Sequence, residues 1–522
     1  MNTLKNNKIL WVDDEIDLLK PHIIFLENKG YRVFTATNGS DAVEMVKEQW
    51  FDIIFLDENM PGYTGLETLN QIKKLNSLSP VVMITKSEEE AIMDEAIGSQ
   101  MADYLIKPVN PRQILLSIKK NINKQELITK QTTSAYQMDF TKLSMQMNSA
   151  NSLDDWKEVF TKLSYWEMEL SNSTDKAMDE VLDMQKTEAN KSFCKLVHKN
   201  YIAWVNQSYS ERPLISPDIF RKKIFPVLDE KKKVFLLLID NLRYDQWKAI
   251  STIFSDYYSV VNEDIYMSIL PTATIYARNS IFSGLMPLEI QKTLPDLWTE
   301  DDNEEGGKNN HEEKLLKNQL QRNGRKEKLY FEKITTRKQG SKWSDYLNQA
   351  LQSDLSVMVL NFVDMISHAR TEMDMIKELT NDEAAYRSLT TSWFKHSGLP
   401  EMLRELSEND FELILTTDHG TIKVNNPLKV IGERSTNTNL RYKLGRNLNY
   451  NPKQVFEIKK PAEAHLPAPS VSTSFIIANN QDFFAYPNNF NYYANYYKNT
   501  FQHGGISMEE MLIPIIRMRP RK

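Results

Sequence analysis

The sequence predicts an α/β multidomain protein: a doubly wound five-stranded parallel sheet over residues 1–122, a helical-bundle linker over 123–208 and a second α/β domain over 209–522. Three observations carry this reading. Short apolar runs alternate with amphipathic segments through the first 122 residues, as strands buried on both faces and separated by helices require. Glycine and proline then vanish from 123 to 208, while aromatic residues recur at helical spacing. Proline returns at Pro213, Pro217 and Pro226, and a new set of apolar runs opens at Val234. A chain of 522 residues also exceeds what one hydrophobic core accommodates.

In the first domain the strands are read at Ile9–Val12, Tyr31–Thr35, Ile53–Leu56, Val81–Thr85 and Tyr104–Ile106. In the linker Trp156, Phe160, Leu163 and Trp166 form a stripe, which reads as core rather than as a cofactor site. Asp154 or Asp155 is expected to cap one linker helix, and Thr174 or Asp175 the next. In the last domain Val234–Ile239, Val357–Phe362, Leu413–Thr416 and Ser474–Ala478 read as buried strands. The polar, charged stretch Thr299–Lys328 reads as an exposed insertion.

Composition excludes some functions. Hydrophobic residues make up 41% and charged residues 26%, a globular balance. The net charge of -6 argues against gripping duplex DNA, and no helix-turn-helix signature follows the first domain. The single cysteine, Cys194, allows no internal disulfide and fits a reducing compartment. Without a signal-peptide pattern or a membrane-length apolar run, the expected location is cytoplasmic, with no direct membrane insertion.

Chemistry-bearing residues gather at strand ends. Asp13 and Asp14 follow the first strand, Asp57 closes the third, Thr85 closes the fourth and Lys107 follows the fifth. Three carboxylates at adjacent strand ends repel one another unless a hard cation with oxygen ligands, such as Mg²⁺, sits among them. Asp57 then has the position of a nucleophile toward phosphorus, with Thr85 and Lys107 donating to phosphoryl oxygens. Lys107-Pro108 is a candidate cis bond that turns the lysine inward. This set, with Asp57-Glu58-Asn59-Met60-Pro61 running to Gly65, resembles the receiver domains of two-component response regulators. The resemblance implies phosphorylation on Asp57 by a sensor histidine kinase. It implies one Mg²⁺ held by Asp13, Asp14, Asp57 and the Asn59 carbonyl, and Tyr104 as the switch aromatic beside Thr85 and Lys107. Lys86 departs from the family, which often has a very small residue there.

The C-terminal domain holds a second constellation. Asp240 ends its first strand, Asp364 and His368 stand four apart after another, Asp418-His419-Gly420 follows a third, and His503-Gly504-Gly505 precedes the last apolar segment. One helical turn puts Asp364 and His368 on one face. Imidazole nitrogen with carboxylate oxygen suits Zn²⁺, and two such ions clamp the attacking and leaving oxygens of a phosphoryl transfer. Pro271-Thr272-Ala273-Thr274 lies before a helix expected to start near Ala277 and offers the hydroxyl.

These residues resemble the alkaline phosphatase superfamily and its PglZ branch. The resemblance implies two Zn²⁺, one on Asp240, Thr274, Asp418 and His419, the other on Asp364, His368 and His503. It makes Thr274, ten residues before Gly284, the nucleophile, with Thr272 as the fallback. The asparagine that related phosphodiesterases place downstream is missing, and Arg278 either replaces it or forms a surface ion pair. The aromatic run from Phe483 to Phe501 reads as packing in preference to a base-stacking surface. Lys423, Lys429, Arg434, Arg441 and Lys443 either steer a polyanion or solvate a loop.

Across its whole length the chain resembles the receiver–PglZ response regulators of type IX secretion. The resemblance implies a homodimer when phosphorylated, a phosphodiester substrate, oligonucleotide among the candidates, and contact with a sigma factor or secretion components. The alternative is a non-enzymatic adaptor in which zinc is structural.

Overall fold

The computed structural model describes residues 7–76, 79–86, 101–171, 176–298, 310–334, 343–366, 383–433 and 436–521. The chain forms two compact units, one ending at Tyr136 and the other made of Gln137–Asn172 with Lys176–Lys522.

In the first unit, β1 (Lys8–Val12), β2 (Arg32–Ala36), β3 (Ile53–Asp57), β4 (Val81–Thr85) and β5 (Asp103–Ile106) pair in the order β2-β1-β3-β4-β5. All neighbours are parallel. Leu10, Val12, Ile54 and Leu56 pack on one face, and Ile9, Trp11, Ile53 and Phe55 on the other. Strands buried on both sides need unbroken apolar runs, which is why these stood out in the sequence. Helices α1 (Lys20–Asn28), α2 (Gly39–Glu48) and α3 (Gly65–Leu75) join them. Thr64 and Glu67 close a capping box at the start of α3. The strand order reverses between β1 and β3, and there a crevice opens at the carboxyl ends.

Helix α4 (Pro111–Ser149) carries the chain from one unit into the next, followed by α5 (Leu153–Ser171) and α6 (Lys176–Asn206). The cap of α5 is Ser152, not Asp154 or Asp155: its hydroxyl accepts from the Asp155 N–H, and the Asp155 carboxylate accepts from the Ser152 N–H. Thr174 and Asp175 lie outside the described residues. The aromatic stripe is core, with Trp156 6.0 Å from Phe193 and Phe160 5.8 Å from Tyr244.

In the second unit, β6 (Val234–Ile239), β7 (Tyr258–Met267), β8 (Leu329–Ile334), β9 (Leu355–Leu360), β10 (Glu412–Thr416) and β11 (Leu512–Pro520) form a sheet ordered β7-β11-β10-β6-β9-β8. The neighbours from β10 through β6 and β9 to β8 are parallel, and β11 runs antiparallel to β10 and β7. Ser474–Ala478 is a strand as expected but belongs to a separate antiparallel sheet with Tyr442–Gly445 and Val455–Ile458. Helices α7 (Tyr244–Ser255), α8 (Thr274–Ser283), α9 (Glu312–Arg322) and α10 (Glu383–Lys395) accompany the main sheet. The expectation of an exposed insertion at Thr299–Lys328 fails in its second half. There α9 buries Glu312, Leu315, Leu316, Gln319 and Leu320. Among the described residues no helix is long and apolar enough to cross a membrane.

Candidate functional site

At the crevice of the first unit, Asp13, Asp14 and Asp57 bring carboxylate oxygens within 4.8 Å of one another. Lys107 lies across them, its Nζ 2.9 Å from Asp13 Oδ2 and 2.7 Å from Asp57 Oδ1. One ammonium among three carboxylates leaves the site negative, and oxygen donors alone suit a hard divalent cation. Burial, then Asp13 and Asp14, push the Asp57 carboxyl up against the pull of Lys107. Burial works to lower the Lys107 pKa, but its bonds to Asp57 and Asp13 outweigh that and hold it raised. The Lys107-Pro108 bond is cis. Thr85 closes β4, yet its hydroxyl donates to the Glu58 carboxylate rather than pointing at an open phosphoryl position. Asn59 stands exposed two residues beyond Asp57, and Tyr104 is 39% exposed on β5.

The second site follows from strand order. The central strands β10, β6 and β9 are adjacent, so the residues after each meet at one sheet end. Asp240 follows β6, Asp418 and His419 follow β10, and Asp364 lies in the helical residues 362–366 after β9. Oxygens of Asp240 and Asp418 and a nitrogen of His419 fall within 4.8 Å of one another. His419 Nε2 is 3.6 Å from Asp418 Oδ2, 4.0 Å from Asp240 Oδ1 and 3.1 Å from the Thr274 hydroxyl. His419 Nδ1 lies 3.2 Å from the Gly420 carbonyl, which places the proton there and turns the Nε2 lone pair to the cluster.

His503 stacks on His419 with ring centroids 4.2 Å apart. Its Nδ1 faces the Thr272 carbonyl at 3.3 Å and its Nε2 lies 3.9 Å from Asp364 Oδ1. His368 lies outside the described residues. Thr274 opens α8 ahead of the first bonds of the helix, in which the Tyr276 and Ala277 N–H groups donate to the Ala273 carbonyl at 3.0 and 2.9 Å. The helix thus starts three residues before the expected Ala277. Thr272, by contrast, is fully buried; its hydroxyl donates to the Gly505 carbonyl at 2.8 Å and accepts from the Gly504 N–H at 3.1 Å.

The donor set fits a cation. Asp240 Oδ1 is buried and has no hydrogen-bond partner among the described residues. Burial, with Asp418 and Asp364 nearby, pushes the Asp240 carboxyl well up despite Arg278. Asp418 goes the other way: the Arg278 charge outweighs its burial and holds it low. An orphaned carboxylate oxygen beside an imidazole nitrogen is a ligand pair that zinc takes.

A family model described as the BREX system PglZ alkaline phosphatase-like domain matches residues 219–518, more than half of the chain. The chain belongs to the PglZ family. Ahead of the PglZ domain, the response regulator receiver domain matches residues 9–119 and the PorX response regulator linker domain matches 126–205. That order of domains matches the PorX response regulators. The chain is 30% identical to the transcriptional regulatory protein ResD of Bacillus subtilis (strain 168) over 189 residues, covering 36% of this chain and 78% of that protein. It is 29% identical over 165 residues to the alkaline phosphatase synthesis transcriptional regulatory protein PhoP of the same organism, covering 31% and 67%. Among solved structures, Vibrio cholerae chemotaxis protein CheY4 is 29% identical over 22% of this chain and 98% of its own, with a TM-score of 0.21. As a receiver, the N-terminal domain takes its phosphoryl group from a histidine kinase.

Several residues of the PglZ domain were not legible beforehand. Arg278 is neither a surface residue nor open to a phosphoryl oxygen. Fully buried, it pairs with Asp240 and lies 3.0 Å from Asp418 Oδ2 and 3.3 Å from Glu312 Oε1. Glu312 in turn holds Lys333 at 3.0 Å. Arg278 thus orients the two carboxylates from behind, and Glu312 fixes Arg278. Gly420 is required by space, since a Cβ there would sit 2.1 Å from the Glu509 carbonyl oxygen. Gly504 has φ 119°, a left-handed value that favours glycine, and a Cβ on Gly505 would meet the Arg441 guanidinium at 2.4 Å. Arg441 is buried against Glu510, and Lys443 is buried with its ammonium on the Asn437 carbonyl. Those two cations of the basic insertion are structural; Arg434 lies outside the described residues.

Proposed function

We propose that this PglZ response regulator is a zinc-dependent phosphodiesterase acting on nucleotide or oligonucleotide phosphodiesters, controlled by phosphorylation of Asp57 and serving type IX secretion from the cytoplasm. The observation that carries the enzymatic reading is the Thr274 hydroxyl, held at a helix N-terminus 3.1 Å from His419 Nε2 beside the orphaned Asp240 Oδ1. In this reading Asp240, Thr274, Asp418 and His419 hold one Zn²⁺, and Asp364, His368 and His503 hold the other. The pair supplies Lewis-acid charge that lowers the hydroxyl pKa and neutralises phosphoryl oxygens. Thr274 Oγ1 then bonds to phosphorus as its proton passes to solvent, while the bond from phosphorus to the leaving alkoxide breaks and that oxygen takes a proton from solvent. Water cleaves the resulting phosphothreonine ester. The first N–H groups of α8 and its dipole hold phosphoryl oxygens through both steps. In the receiver, Asp13, Asp14, Asp57 and the Asn59 carbonyl hold Mg²⁺, and Lys107, Thr85 and Tyr104 respond to the phosphoryl group. For Thr85 this requires release from Glu58.

The test is zinc-loaded protein assayed on a chromogenic phosphodiester and the matching monoester, beside Thr274→Val. Turnover of the diester that falls by more than about a hundredfold in the variant is expected, as loss of a nucleophile demands. Metal-loaded wild type that matches Thr274→Val at background removes the enzyme. If its partner binding then depends on Asp57, the adaptor reading takes over, with a sigma factor or secretion components as its targets.

A further inference from the structure

We propose that the exposed tyrosines of the helix Phe490–Tyr497 form a stacking platform for single-stranded nucleic acid, a reading that rests on the phosphodiesterase proposed above and names its substrate more closely. Packing explains only part of the aromatic run. Phe483, Phe484 and Phe501 are buried, whereas Tyr492, Tyr493 and Tyr496 are 63%, 40% and 39% exposed. The rings of Tyr492 and Tyr496 lie within 14° of parallel, and so do those of Tyr493 and Tyr497, because residues four apart share a helical face.

Three features of this face select nucleic acid over protein. It offers phenols interleaved with exposed Asn491, Asn495 and Asn499, while its aliphatic residue, Ala494, is buried. Rings that stack and amides that hydrogen-bond suit bases, which all present a π face. Second, no carboxylate occurs in the sequence from Phe483 to Met508, while Lys498 is exposed within it, so the segment does not repel a polyanion. Third, the face is tethered close to the candidate metal site. Tyr497 precedes the zinc-ligand candidate His503 by six residues, about 20 Å of extended chain at most. Between them Phe501 and Gln502 pair with Lys423 and Ile422, close after His419. A strand with one phosphodiester at Thr274 therefore has bases within reach of the tyrosines, and a dinucleotide-sized substrate does not fill them.

The measurement is fluorescence anisotropy of a fluorescein-labelled single-stranded decaadenylate with zinc-loaded full-length Thr274→Val protein, in which nothing is cleaved. Tyr492→Ala and Tyr496→Ala are each expected to weaken binding by about fivefold or more, and Tyr→Phe at the same positions to retain it. In the otherwise wild-type protein the same alanine variants raise KM for the decanucleotide without changing turnover of the small chromogenic diester. Circular dichroism of the variants matches wild type, since all three side chains are at the surface. A triple alanine variant that binds the decanucleotide as tightly as its parent overturns the platform and returns this face to a protein partner. Tyrosine-dependent binding in a protein that cleaves no diester removes the phosphodiesterase reading and leaves the platform.

Discussion

Two threonines separated by one alanine are hard to tell apart on paper, and the folded chain gives them different surroundings. The Thr272 hydroxyl is used up between the Gly504 N–H and the Gly505 carbonyl, tying the loop of His503 to the segment before α8. Thr274 stands at the helix start against His419. Thr272→Val leaves a buried N–H and a carbonyl without partners, a cost of about 1–3 kcal/mol for each unsatisfied group. The variant is expected to melt lower and bind zinc more weakly while still turning over when metal is saturating. Thr274→Val is expected to keep its stability and lose turnover. Chelator competition run beside thermal melts separates the two, and full activity with unchanged melting in Thr272→Val would contradict the tie. Arg278 teaches the complementary lesson. An arginine one turn after a candidate nucleophile reads as a phosphate contact or a surface pair. Its burial depends on Asp240, Asp418 and Glu312 arriving from three other elements, which local sequence does not encode.

Element by element, legibility followed burial. The central strands β6, β9 and β10 were visible because strands covered on both faces carry unbroken apolar runs, here Val234–Ile239, Val357–Leu360 and Leu413–Leu415. Edge strands β7 and β8 were missed: β7 exposes Ser259–Asn262, and β8 carries Glu332 and Lys333 at half-buried positions. Helix α9 was hidden by a charged composition, although Leu315, Leu316, Gln319 and Leu320 recur at helical spacing. The linker helices α5 and α6 are joined to the PglZ elements by ions as well as apolar contact. Glu167 bonds Lys186 and Arg387 at 2.7 Å each, Arg387 reaches Asp245 at 3.0 Å, and Asn190 on α6 donates to Glu509. Burial works to raise the Glu167 carboxyl, but Lys186 and Arg387 prevail and hold it below the usual range. Glu167→Gln strips both cations of a partner, and a loss of about 1.5–3 kcal/mol is expected. A carboxyl lowered on folding stabilises above its unfolded pKa of about 4.3 and loses that effect as pH falls through its folded value. The gap in melting temperature between wild type and variant should therefore be full at neutral pH and close in acid. A gap that persists unchanged in acid would show that packing, not charge, holds the joint.

For the whole molecule, the proposed function makes the receiver the control and the PglZ domain the seat of the chemistry. Beryllofluoride with Mg²⁺ is expected to convert monomer to dimer, read as a doubling of mass by light scattering, and Asp57→Asn is expected to stay monomeric. Wild type with unchanged mass would sink phosphorylation-driven assembly. Sequence by itself determined the α/β class, the receiver and its acidic pocket, the PglZ family and the order of its ligand-type residues. These are set by runs and spacings that a strand, its following turn and a helix face must carry locally. Tertiary structure alone decided which threonine is tied up, that Arg278 and Glu312 stand behind the carboxylates, that Arg441 is core, and that three tyrosines reach the surface. Each of those depends on what a distant segment brings alongside. Burial and partnership are properties of the packed chain, and no window of neighbouring residues contains them.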